Sequence, residues 1–128
     1  MRPRAELDIE CFANWFLIGI SDHATGQRWD FHMMQHWPLD RAGIEALLRH
    51  YTIVTFNGQG YDVLMLVAAL QGWDNAKLKW LNDHIIKGGK RHWDIRRELG
   101  LWEPDYLDHI DIMEVAPGVA VGLKGYAG

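Results

Sequence analysis

Alternating apolar and polar residues dominate the first third of the chain. Over 6–10 the apolar side chains alternate with acidic ones, so a strand is predicted there with Asp8 and Glu10 on one side. The apolar run 15–20 is short and bounded by polar residues, which predicts a buried second strand. A glycine-containing turn then leads to a returning strand at 27–32, and the two form a predicted hairpin.

The middle of the chain changes to helical spacing. Asp40 predicts the N-cap of a helix that reaches about His50. Residues 52–56 are β-branched or aromatic throughout and predict a central strand, which runs into a sharp turn at an Asn-Gly pair. A helix apolar nearly all round is predicted over 60–70, and Asp74 caps another.

A last strand is predicted around 110–112. The order of elements is hairpin-rich first and βαβ-like afterwards. This order predicts an α/β fold with a mixed sheet, antiparallel hairpin strands followed by parallel strands, flanked by helices. With 128 residues the chain is long enough for one compact domain, 1–128, and too short for two of ordinary size.

Composition and charge narrow the function classes. The chain is 48% hydrophobic and 23% charged, as in globular domains, and no apolar run is long enough to span a bilayer. A net charge of −4 disfavours a protein that coats nucleic acid electrostatically, but it suits an acidic site that binds metal ions. Cys11 is the only cysteine, so neither an internal disulfide nor a cysteine-rich zinc site is available, and a cytoplasmic setting is expected.

Three carboxylates are predicted to converge at one edge of the sheet. If the strand at 52–56 lies parallel to the first strand, Asp62 arrives from the next helix at the edge where Asp8 and Glu10 lie. The helix N-terminus favours the ionised form of Asp62, and few fixed counter-charges are expected nearby. Such oxygen ligands suit Mg²⁺ or Mn²⁺. Alternatively, Asp8 and Glu10 are solvent-facing residues of an edge strand and Asp62 merely starts a helix.

Six short segments, spread along nearly the whole chain, are similar to the motifs of a known family. They are 7–10, 14–16, 52–58, 61–62, 110–115 and 123–126. They resemble the proofreading 3′–5′ exonuclease domain of family A DNA polymerases, the bacteriophage type especially, and the first two motifs, at 7–16 and 52–62, do so in order and separation. The resemblance implies a ribonuclease H-like fold and membership of the class of nucleases that uses three aspartates and one glutamate. It implies single-stranded DNA 3′ ends as substrate, the remainder of a polymerase chain as partner, and the host-cell cytoplasm as location.

The resemblance also assigns roles to residues of this chain. Asp8 would bridge two Mg²⁺ or Mn²⁺ ions, Glu10 would help to hold the ion that binds the attacking water, and Asp62 would serve the second ion. Asn57 and Tyr61 would line the groove for the 3′-terminal nucleotides.

Weaker assignments concern residues outside the carboxylate group. Phe12 and Asn14 are expected to contact the terminal base or sugar, and Lys124 to lie near the DNA path. Asp111 matches a family aspartate on the last core strand, and a structural role supporting the metal ligands is expected for it.

One element of the family pattern is missing. Family members complete the site with Tyr-x-x-x-Asp on a later helix, whereas Tyr106 is followed by Ile110 at that spacing and Tyr126 is almost the last residue. We therefore expect a domain without its C-terminal catalytic helix and with impaired activity. The alternatives are an inactive ribonuclease H-like remnant that binds nucleic acid or a polymerase partner, and a nuclease of the same fold that acts on RNA.

Overall fold

A five-stranded mixed sheet forms the centre of the molecule. The computed structural model describes residues 1–56 and 58–112. The strands lie in the spatial order β3-β2-β1-β4-β5. Their bounds are β1 Arg4–Phe12, β2 Trp15–Asp22, β3 Arg28–Met33, β4 Thr52–Thr55 and β5 His109–Asp111. β1, β2 and β3 pair antiparallel, while β4 pairs parallel with both β1 and β5, so the predicted mixed sheet is confirmed.

Helices connect the later strands. Their bounds are α1 Arg41–His50, α2 Asp62–Leu70, α3 Asn75–Lys87 and α4 His92–Leu99. Both predicted caps are confirmed: the Asp40 side chain accepts from the backbone N–H of Gly43, and that of Asp74 accepts from Lys77. Each cap satisfies an N–H group that the first helical turn leaves without an intrahelical partner. None of the helices in the described part of the chain is long and apolar enough to cross a membrane.

The two faces of the sheet differ in character. Leu7 and Ile9 of β1 join the buried residues of β2, α1, α2 and α3 in one hydrophobic core. The opposite face carries exposed charged and polar side chains on β1 and β3. We call it the polar face, and its residues are Glu6, Asp8, Glu10, Arg28, Asp30 and His32. The period-two pattern of β1 therefore decides which side chains face the helices and which remain available for chemistry.

Helix α4 is the element that the sequence pattern did not predict. Its apolar face is narrow, with Ile95 as the buried residue, and its N-cap Arg91 makes no side-chain capping bond. The helix ends at Gly100 in the left-handed conformation, φ 66°, which glycine adopts without steric cost. A short polar helix without a capping residue leaves little signal in hydrophobic periodicity.

Candidate active site at the β1–β4 edge

Asp8 and Glu10 occupy the polar face of β1 as predicted. Both are exposed, while their neighbours Leu7 and Ile9 are buried. β1 pairs with β4 only over Arg4–Glu6, so Asp8 lies two residues beyond the last paired position. The edge of β1 beside Asp8 is therefore free of the β4 ladder, and helix α2 contacts β1 instead.

A tight turn after β4 presents Asp62. A 3₁₀ turn over Gly58–Gly60 leads through Tyr61 into α2, which begins at Asp62. Glycine often serves such a turn by adopting positive φ, but Gly58 does not adopt it. Glycine is required there because the turn packs on β4: a Cβ at position 58 would lie 2.1 Å from Oγ1 and 2.3 Å from Cβ of Thr55. Close approach of the turn backbone to the Thr55 side chain, rather than left-handed backbone, explains this glycine.

Gly58→Ala tests that packing. Thr55 cannot move aside easily, because it is buried and its hydroxyl is hydrogen-bonded to Nε2 of His109 at 2.6 Å. Overpacking of this kind is expected to lower the free energy of unfolding by about 2 kcal/mol and to shift Asp62 away from β1. Urea denaturation measures the loss of stability. An unfolding free energy unchanged within about 0.5 kcal/mol would show that the turn tolerates the methyl group.

Asp62 lies in an environment that disfavours its charge. It is half-buried, and burial raises the pKa of its carboxyl group to about 6, with further contributions from the charges of Asp8 and Asp111. The effect of the helix N-terminus, which favours the ionised form of Asp62, is outweighed by burial and by the neighbouring carboxylates. The contributions of Asp8 and Asp111 indicate that both carboxylates lie within electrostatic reach of Asp62.

The three aspartates lie around a topological switch point of the sheet. β1 and β4 are neighbours in the sheet. The strand that follows β1, β2, lies on one flank of this pair, whereas the strand that follows β4, β5, lies on the other flank. Crevices at such points, at the carboxyl ends of parallel strands, are where open α/β sheets bind ligands. Asp111 ends β5 and is 3% exposed, and its Oδ2 accepts from the backbone N–H of Gln59 at 3.1 Å. It thereby ties the turn that carries Asp62 to the last strand.

Arg28 is a residue of the site that the sequence analysis missed. Its Nη2 donates to Oδ2 of Asp8 at 3.2 Å and its Nε donates to Oδ1 of Asp30 at 2.6 Å. The expectation of few fixed counter-charges is therefore wrong for Asp8. The available signal was the Arg-x-Asp spacing on β3, which places both residues on one face, opposite a glycine in β2.

An aromatic row borders the carboxylates on the polar side of the sheet. It consists of Phe12, Trp15 and His32, with ring centroids 5.5 Å apart for Phe12–Trp15 and 5.7 Å for Trp15–His32. The indole Nε1 of Trp15 donates to Nδ1 of His32 at 3.0 Å, which fixes the row. Phe12 keeps 54% of its surface exposed at the end of β1. The row offers a flat surface for a base two residues beyond Glu10.

The remaining predicted contact residues lie in different places. Asn14 is exposed in the turn between β1 and β2 and lines a cleft of about 810 Å³. The hydroxyl of Tyr61 donates to Oδ1 of Asn82 on α3, and burial raises the pKa of Tyr61. Asn57 and Lys124, both predicted to contact nucleic acid, lie outside the described residues.

The chemistry of the donors fits a hard divalent cation. Asp8, Asp62 and Asp111 provide carboxylate oxygens, and their mutual repulsion would be relieved by a positive ion. Over residues 1–56 and 58–112, however, no three acidic, histidine or cysteine side chains are grouped closely enough to hold a metal ion by themselves. Glu10 shares the face of Asp8, but the charges that raise the pKa of Asp62 are those of Asp8 and Asp111.

Comparison with known proteins adds no relative. No family model, no curated protein and no solved structure matches this chain.

Proposed function

We propose that this chain is a metal-dependent 3′–5′ exonuclease domain, the proofreading module of a bacteriophage-type DNA polymerase. It hydrolyses phosphodiester bonds at the 3′ end of single-stranded DNA. Its partner is the remainder of the polymerase chain, in the cytoplasm of the host cell. The observation that supports this function best is the influence of Asp8 on Asp62 across the switch point between β1 and β4: burial, with the neighbouring charges of Asp8 and Asp111, raises the pKa of Asp62 to about 6.

The sheet supports the proposed ribonuclease H-like fold. An antiparallel hairpin unit is followed by two parallel strands, and the helices α1, α2 and α3 bury their apolar residues against one face. This arrangement is compatible with a ribonuclease H-like domain. It leaves the carboxylates of β1 on the side opposite the core, where a substrate strand can reach them.

Asp8 and Asp62 would hold the divalent cation, Mg²⁺ or Mn²⁺. When bound at carboxylates, such an ion makes a water molecule nucleophilic at neutral pH and stabilises the charge on the leaving oxygen of a phosphodiester. The resemblance implies two ions, both contacted by Asp8: Glu10 would help to hold the ion that binds the attacking water, and Asp62 would serve the second ion. Asp111 holds the backbone of Gln59 and so fixes where α2 presents Asp62.

The aromatic row supports binding of a single strand. Exposed Phe12 and the stacked rings of Trp15 and His32 give a surface on which bases can stack without sequence preference. Each stacked base contributes on the order of 1–3 kcal/mol in proteins that bind single strands. Stacking therefore orients the strand, while the carboxylates act on its terminal phosphodiester.

Catalysis by this chain is proposed to be impaired. The described residues provide Asp8 and Asp62 as a pair without a third grouped ligand, and the sequence has no Tyr-x-x-x-Asp after Asp62. A site with fewer anionic ligands binds its cations more weakly. Hydrolysis is therefore expected to be slow, and to require Mn²⁺ at higher concentration than a complete site would.

The test is a nuclease assay on a single-stranded DNA oligonucleotide labelled at its 5′ end. We expect Mn²⁺ to produce a ladder of products shortened from the 3′ end, and chelation of the ion to abolish it. A 3′-blocked oligonucleotide serves as the matched substrate control and should remain intact. Cleavage of the blocked strand, or no cleavage at millimolar Mn²⁺, contradicts the proposed exonuclease. An RNA oligonucleotide of the same sequence decides between DNA and RNA.

The second candidate is a catalytically inactive remnant that binds nucleic acid or a polymerase partner. It is favoured by the ion pair between Arg28 and Asp8, which satisfies one of the proposed ligands without a metal, and by the aromatic row, which needs none. Binding of a fluorescent oligonucleotide in the presence of a chelator, with no cleavage after Mn²⁺ is added, would favour the remnant.

A further inference from the structure

Arg28 bridges two carboxylates that face each other across a strand. Its Nε donates to Asp30 at 2.6 Å and its Nη2 to Asp8 at 3.2 Å. Asp8 on β1 and Asp30 on β3 are both in register with Gly19 of β2. The guanidinium therefore lies across the middle strand, on the polar face, between a proposed metal ligand and a second acid.

Gly19 makes this position possible. A Cβ at position 19 would lie 2.1 Å from Nη2 and 2.6 Å from Cζ of Arg28. Any side chain at position 19 would therefore displace the guanidinium from its place beside Asp8. Glycine weakens a strand interior, so its presence there is typical of a place where another group must approach closely. The approaching group is the Arg28 guanidinium.

We infer that Arg28 is a substrate-binding residue, which contacts a phosphate of the DNA strand once Asp8 binds the cation and releases the guanidinium. This inference rests on the proposed function. The planar guanidinium presents five N–H donors in a fork that matches phosphate oxygens. The Nη1 group takes part in neither of the two ion pairs, and 40% of the side chain is exposed.

The two ion pairs of Arg28 differ in length, which favours release of Asp8 while Asp30 is retained. The pair with Asp8 is the longer one, and the Asp8 side chain is 54% exposed, so this contact contributes little to stability. A divalent cation carries twice the charge of the guanidinium and competes for the same carboxylate. The shorter pair with Asp30 would keep Arg28 beside the site after Asp8 is released. Repulsion between the cation and Arg28 is then offset by an anion that binds both, such as a phosphate.

The test compares Arg28→Gln and Gly19→Ala with Arg4→Gln as matched control. Arg4 is an exposed arginine at the start of β1, on the same side as Asp8. Gly19→Ala keeps the arginine but excludes its guanidinium from the space above position 19. Because the added methyl group clashes with the far end of a flexible side chain, the fold is expected to persist. Thermal unfolding by circular dichroism checks that each variant is folded. Arg28→Lys keeps the charge without the fork.

Two calorimetric titrations give the result. With Mn²⁺ alone, Arg28→Gln and Gly19→Ala are expected to bind the ion about threefold more tightly, because the competing charge has left Asp8. With Mn²⁺ saturating, both variants are expected to bind thymidine 5′-monophosphate about tenfold more weakly, and Arg28→Lys to give an intermediate loss. Arg4→Gln is expected to change neither affinity.

Each other outcome has a definite meaning. Tighter Mn²⁺ binding with unchanged nucleotide affinity would make Arg28 a counter-ion of Asp8 only, and would overturn the phosphate contact. No change in either affinity would overturn it as well. If the wild-type chain binds no Mn²⁺ at all, the proposed nuclease function itself fails, and this role of Arg28 fails with it.

Discussion

Asp8→Asn is expected to lower the Mn²⁺-dependent release of nucleotides by about 10³-fold or more. The amide keeps the shape of the carboxylate but not its charge, so the ion that activates water is bound weakly or lost. Such an ion lowers the barrier by several kcal/mol, and each 1.4 kcal/mol corresponds to about a factor of ten in rate. The substitution removes a charge from an exposed position, and the fold is expected to be unaffected.

Glu6→Gln is the matched control for that experiment. Glu6 lies on the same strand and the same face, two residues before Asp8, and is paired with His23 rather than with the site. Its substitution removes an equal charge and should leave the rate within about twofold. Equal losses in both variants would attribute the effect to the general charge of the polar face. An Asp8→Asn protein that keeps a tenth of the wild-type rate would exclude Asp8 as an essential ligand.

Asp62→Asn is expected to stabilise the metal-free protein by about 2 kcal/mol at pH 8. The pKa of Asp62 is raised from 3.8 to about 6, chiefly by burial. At about 1.4 kcal/mol for each pKa unit the full cost of ionising Asp62 is about 3 kcal/mol, and solvent screening at a half-buried position reduces it. Removing a proposed catalytic group thus increases stability, as expected where function requires a strained site.

The free energy of unfolding is expected to fall as the pH rises through the range in which Asp62 ionises. Because the folded state binds the Asp62 proton more tightly than the unfolded state, its contribution to stability is present at low pH. That contribution is lost as the pH rises from about 4 to about 6, and the loss is complete above that range. Urea denaturation at pH 4.5 and pH 8 should therefore show a smaller difference for Asp62→Asn than for the wild type. Asp105→Asn, at an exposed loop position, is the control. Destabilisation of Asp62→Asn at pH 8 would contradict the burial of this charge.

Much of the fold could be predicted because its signals are local. The alternation of apolar and polar residues over β1 identified which of its side chains face outward. Asp40 and Asp74 marked two helix starts, because each side chain accepts a hydrogen bond from a backbone N–H group in the first helical turn. Parallel strands in the second half followed from the βαβ-like order of elements, whereas the parallel pairing of β4 with β1 was only a hypothesis before the structure showed it. Helix α4 could not be found in this way, because it has little apolar surface and no capping side chain.

The site was predictable only in part because its energetics are not local. The position of Asp62 on a turn was visible in the sequence, but its burial depends on how the turn packs against Thr55 and β5. The partner of Asp8 was not visible, since Arg28 reaches it across a strand through a gap left by Gly19. Such contacts are set by the register of three strands, which the hydrophobic pattern of one strand does not specify.

Paramagnetic broadening by Mn²⁺ provides the sharpest test of whether Asp8 and Asp62 bind one cation. In nuclear magnetic resonance spectra of the wild type, substoichiometric Mn²⁺ is expected to broaden the backbone signals around both residues at the same ion concentration. Signals of the β2–β3 turn around Thr25, which lies at the amino end of β1, are expected to be broadened much less. In Asp62→Asn, the broadening around Asp8 is expected to need much more Mn²⁺. Broadening around Asp8 that is unchanged in Asp62→Asn, or that never extends to the start of α2, would contradict a shared site.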